Sequence, residues 1–116
     1  MNPINSMLAR FEDLRSLAFG SISGTYALVG TATNNPVRLI DIDNTTDANL
    51  IISFNGIDDK IFVAANGFKI YDFASNKSNQ GGSLDLPAFT LFYVKQESSA
   101  PTTGNVYIGI CYASAV

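Results

Sequence analysis

From Gly24 onward the chain is punctuated at short intervals. Runs rich in Val, Ile, Tyr, Phe and Thr alternate with clusters of Gly, Asn, Asp, Ser and Pro, a spacing of about 8–12 residues that belongs to all-β domains. The runs predict strands over 24–33, 36–44, 49–55, 60–64, 67–74, 89–97 and 105–113. The breakers between them are TNNP, NTTDA, NGIDD, ANG, SNKSNQGGS and SSAPTTG, all turn chemistry. No helical crossover is available to join parallel neighbours, so the strands must pair antiparallel. The expected fold is an all-β antiparallel β-sandwich, jelly-roll or Ig-like, of about seven to eight strands. With 116 residues the chain makes one domain. No internal repeat is present, and the polar stretch 75–83 reads as an exposed loop.

The segment before this rhythm reads two ways. In SMLARFEDLRSLA, Met7, Phe11, Leu14 and Ala18 fall at helical spacing behind Ser6 as a cap, with Gly20 as a stop. Leu17 and Phe19 alternate as a strand would. A helix of this length is marginal alone, so either form needs a surface to pack on. Residues 1–20 are therefore expected as an N-terminal arm or short helix, and 21–116 as a single sandwich domain.

A strand with one wet side alternates apolar and polar residues, and several strands here do not. In PVRLIDID, Ile40 and Ile42 oppose Val37 and Leu39; in GFKIYDFAS, Phe68 and Ile70 oppose Tyr71 and Phe73. In TLFYVKQ, Leu91 with Tyr93 opposes Phe92 with Val94. Both faces carry large apolar groups, and a small sandwich has only one interior. At about 1.5–3 kcal/mol per buried large side chain, leaving a second apolar face wet would forfeit much of a small domain's stability. Cover must come from the arm, another sheet or a neighbouring subunit. The candidate interface residues are Met7, Phe11, Leu14, Leu17, Phe19, Val37, Leu39 and Ile51.

The residue inventory disfavours most chemistry. The chain has no histidine, which removes Ser-His and Cys-His nucleophile activation and the commonest zinc ligand. Carboxylates remain, but Asp47, Asp58, Asp59 and Asp85 stand at turns, where aspartate serves the backbone. Asp41, Asp43, Asp47 and Asp58 form the rival reading, hard oxygen ligands for calcium; no EF-hand loop or phosphate-cradling glycine motif accompanies them. The expectation is a non-enzyme with no catalytic residue, no cofactor and no resident metal. Net charge is −3 with the seven basic residues scattered singly, so nucleic acid is not an expected partner. Cys111 lies in the alternating run VYIGICYA and reads as a small buried hydrophobe. The sequons at Asn44 and Asn76 read as turn residues. The chain carries no signal-peptide layout and no apolar run long enough to span a bilayer, so it is read as soluble, non-secreted and without a membrane partner.

The densest polar stretch, DNTTDANLIISFNG at 43–56, resolves by period into a strand presenting Leu50, Ile52 and Phe54, entered by NTTD and left by NG. Together with RSLAFGSISGTY, the whole stretch from RLIDID to FASNKS, and the terminal GNVYIGICYA, this layout resembles small structural proteins of tailed bacteriophages. The pattern has a strand ending in SFDG or SFNG and a GG or NG turn; Asn55 stands where aspartate is common and Asn66 where a second glycine is common, and both keep turn chemistry. The resemblance implies a virion β-sandwich assembled in the host cytoplasm and repeated as a homo-oligomeric ring or lattice. Its partners would be copies of itself and other virion proteins, at the head–tail neck, in the tail or as a capsid decoration protein. The alternative is a ligand-binding module that recognises carbohydrate or a host surface through sandwich-end loops, with Tyr26, Tyr71, Tyr93, Tyr107 and Tyr112 as stacking platforms.

Overall fold

The computed structural model describes residues 7–73 and 85–115. The 75–83 loop, the Asn76 sequon and the Ser6 cap lie outside the described residues. The strands are β1 Met7–Phe11, β2 Arg15–Ala18, β3 Ala27–Leu28, β4 Leu39–Asn44, β5 Leu50–Ser53, β6 Ile61–Val63, β7 Phe68–Asp72, β8 Tyr93–Gln96 and β9 Asn105–Ala115. A 3-10 turn, Phe19–Ser21, follows β2, and no α-helix occurs among the described residues. The predicted all-β antiparallel sandwich is the fold.

Two sheets form it. In the first, β9 lies between β4 and the β1–β2 segment, with β7 beyond β4; the second runs β3-β8-β5-β6. The pairing is nested: β2 with β9, β3 with β8, β4 with β7 and β5 with β6. A chain folded back on itself as one long antiparallel ribbon and then rolled into two sheets produces this nesting, which is the jelly-roll arrangement. Successive strands β2 to β5 alternate between the sheets, whereas an Ig-like chain keeps its first strands together in one.

The helical option for the N-terminal segment is corrected. Residues 7–11 and 15–18 are strands, and both pair with β9. Phe11 stands opposite Cys111 while Arg15 stands opposite Ile108, so the β1–β2 side holds one extra residue, a β-bulge across 12–14. The bulge switches which residues face outward. Phe11 before it and Leu14 and Ala18 after it consequently occupy one side of the sheet, and Met7 has the same register parity as Phe11. Two period-two segments offset by one residue thus imitate a helical repeat. The sandwich also begins earlier than expected, because Arg15 is buried and Leu17 packs against the core.

The core lies between the sheets. Ile40 and Ile42 of β4 and Val106, Ile108 and Ile110 of β9 meet Leu50 and Ile52 of β5 and Val94 of β8, each at most 1% exposed. Phe54 packs edge-on to Phe92 with ring centroids 5.9 Å apart, so the expected Leu50, Ile52 and Phe54 face is the inner one. Val37 is fully buried in this same core and is not on the second face. The chain bends at Arg38 before β4 begins, and this break in the alternation turns Val37 inward beside Leu86, its bridge partner.

The polar ends of the 43–56 stretch are turn chemistry, as expected. Asn44, only 1% exposed, accepts from Thr46 N at 2.9 Å and Thr46 Oγ1 at 2.6 Å and donates to Ala48 O at 2.8 Å. It also reaches Ala64 O and Val63 O at the end of β6, joining the two sheets. Asp47 accepts from Thr102 N at 2.7 Å and from the Thr102 hydroxyl, tying this turn to the loop before β9. Gly104 has φ +89, and a Cβ there would run into Thr45 O, so this crossing tolerates no side chain.

Candidate functional site

The first sheet's outer face follows from register. One rung reads Phe11, Cys111, Leu39, Asp72; the next Gly109, Asp41, Ile70; the third Ser16, Tyr107, Asp43, Phe68. Leu14 comes up beside Gly109, where no side chain intervenes. Phe11 is 76% exposed, Leu14 64%, Phe68 64% and Ile70 55%. This is a mostly apolar surface around an acidic centre.

Of the predicted interface residues, Phe11, Leu14 and Leu39 share this face. Met7 lies on β1 in register with Ala115. Phe19 is exposed in the 3-10 turn, Leu17 packs against the core, and Val37 is interior. Ile51 is half-buried on the other sheet, in register with Phe62 and Lys95. The structure therefore divides the predicted set between two faces and the core. Phe68 and Ile70 belong to the surface although the predicted set omits them; their alternation in GFKIYDF was the available signal. Cys111 is half-buried on the outer face rather than in the core.

The acidic centre is Asp41 with Asp43. Burial pushes the Asp41 carboxyl above the usual aspartate range, and the like charge of Asp43 raises it further. Asp41 Oδ1 is enclosed with no hydrogen-bond partner among the described residues. The other members of the supposed calcium set do not join it. Asp47 and Asp58 lie in the loops at opposite ends of β5, and Asp58 Oδ2 accepts from Asn55 Nδ2 at 2.8 Å. No group of three or more metal-ligating side chains occurs among the described residues.

Asn55 organises the loop after β5. Its Oδ1 accepts from Ile57 N and Asp58 N, both at 2.9 Å, while Ser53 Oγ accepts from Asn55 N and Gly56 N. An aspartate could accept the same bonds but could not donate to Asp58. At the sandwich edge, Tyr26 donates its hydroxyl to Asp59, and Lys95 Nζ lies 3.2 Å from Asp59 Oδ1 and 4.8 Å from the Tyr26 ring centroid. Burial, then the bond to Asp59, pushes the Tyr26 hydroxyl up, while that bond and Lys95 hold Asp59 down. This tyrosine is engaged in packing.

One concavity borders Phe11 and Leu14 of the outer face, and another lies between the sheets. A polar groove of about 520 Å³ is lined by Phe11, Asp13, Leu14, Asn34, Asn35 and Tyr112, among others. An apolar cleft of about 310 Å³ opens between the sheets beside Phe54, Ile61, Tyr71 and Phe73. No protein-family model and no curated protein matches the chain.

Proposed function

We propose that this protein is a non-enzymatic structural component of a tailed-bacteriophage virion, and that it works by assembling with copies of itself and with neighbouring virion proteins. The observation that carries the assembly reading is the first sheet's outer face, where Phe11, Leu14, Phe68 and Ile70 are all more than half exposed. Exposed apolar groups gathered in this way mark contact surfaces. The virion placement rests on the resemblance of the turn motifs. Jelly rolls also build lectins and small-molecule binders, so fold alone does not choose among roles.

Light scattering coupled to size exclusion tests the assembly reading on the full chain. Removing the first twenty residues would take away β2 and Arg15, so Phe11→Ser with Leu14→Ser is the better variant. Expected is self-association of the native chain, weakened in the double variant, and fewer copies of that variant in purified particles. A native chain that remains monomeric and is absent from particles would sink the reading.

One observation favours the carbohydrate alternative. The polar groove combines the rings of Phe11 and Tyr112 with Asp13, Asn34 and Asn35, the mixture of ring faces and hydrogen-bonding groups that sugars use. Glycan-array binding lost on Tyr112→Ala would support this module; an empty array would dismiss it.

A further inference from the structure

We propose that the outer edge of β7 pairs with the same edge of a second copy of this chain, antiparallel and centred on Ile70. This rests on the self-association reading above and adds to the outer-face contact an edge contact at the far side of the sheet from Phe11 and Leu14. Asn44 N donates to Gly67 O and Phe73 N donates to Arg38 O, each at 2.8 Å. Antiparallel strands alternate the direction of their backbone groups. Lys69 and Tyr71 therefore face β4, in register with Ile42 and Ile40, while Phe68 and Ile70 direct N–H and C=O outward. No described strand pairs with that edge.

The other edges carry the usual protections against such pairing. β3 has two residues and β6 has three, and the β1–β2 edge is broken by its bulge. β7 has five residues, all exposed, without proline or bulge. Its sequence is also self-complementary. A twofold axis through Ile70 sets Ile70 against its copy in a hydrogen-bonded pair, Lys69 against Tyr71 of the second copy, and Phe68 against Asp72. No like charges meet, and the lysine lies beside a ring face, a favourable arrangement. A register centred on Lys69 would oppose two lysines.

Cross-linking of the full chain in a Cys111→Ser background tests the geometry. Residues facing each other in a hydrogen-bonded antiparallel pair have Cα atoms about 5.5 Å apart, within disulfide reach. Ile70→Cys is expected to give a disulfide-linked dimer on mild oxidation, while Phe68→Cys, four residues from its own copy, does not. Ile70→Pro removes only an outward N–H, so it is expected to keep the monomer's fold and weaken association at least about tenfold. Equal cross-linking at Phe68, or undiminished association of Ile70→Pro, overturns the β7 contact and leaves self-association standing. A native chain that sediments as a monomer at every concentration overturns both.

Discussion

Glu12 and Arg15 form an ion pair at 2.8 Å, each side chain 6% exposed, although a regular strand would send residues three apart to opposite faces. The bulge between them brings both to the inner side. Arg15 Nε donates to Thr31 O at 2.7 Å and Nη2 to Ala32 O at 3.0 Å, and Glu12 Oε2 accepts from Asn34 N, Asn35 N and Asn35 Nδ2. The pair thus latches the bulged strand to the loop after β3.

Removing one partner leaves the other buried and uncompensated. Arg15→Ala is expected to cost about 3 kcal/mol in urea denaturation, with Glu12→Gln costing less. Burial pushes the Glu12 carboxyl up, but bonds from Asn35, Arg15 and Asn34 outweigh it and hold the pKa below the usual range. The stabilisation from Glu12 is therefore present above the ordinary glutamate pKa and lost as pH falls through the lowered folded value. Glu12→Gln should flatten that part of the acid stability profile; an unchanged profile would remove the latch from the account.

Asn44 is the buried joint between sheets, and its partners cannot be replaced by water at 1% exposure. Asn44→Ala is expected to destabilise the fold by about 3 kcal/mol, since several buried polar groups lose a partner together. Thermal unfolding followed by circular dichroism measures this directly.

Asn55→Asp replaces the donor to Asp58 with a second carboxylate. Expected is a loss on the order of 1 kcal/mol at neutral pH, shrinking as the carboxylates protonate in acid. A neutral or stabilising change at pH 7 would mean that the Asn55–Asp58 bond contributes nothing.

Asp41 gives the opposite pH signature. Its folded pKa is raised, so its stabilising contribution is complete below the unfolded aspartate value and declines as pH rises through the folded one. Asp41→Asn is expected to be more stable than the native chain at neutral pH, by on the order of 1 kcal/mol, with the advantage vanishing in acid. Paired denaturation curves across that range provide the check.

The amino-acid sequence by itself determined the run of strands from β3 to β9 and most of their turns, but not that β1 and β2 are strands. Leu50, Ile52 and Phe54 at period two mark one face of a strand, and Asn44 with Thr46 and Ser53 with Asn55 and Gly56 close turns through bonds to residues a few positions away. Such interactions are local, so composition and spacing reveal them. Only the tertiary structure decided which strands pair, and hence the jelly-roll wiring, because pairing depends on contacts between residues far apart in the chain. It also decided the faces wherever the alternation breaks. The bulge at 12–14 put Phe11 and Leu14 on one side and Glu12 and Arg15 on the other, and the bend at Arg38 carried Val37 into the core. One inserted residue reverses every side chain that follows it, and whether a strand contains that residue is settled by its partner's register.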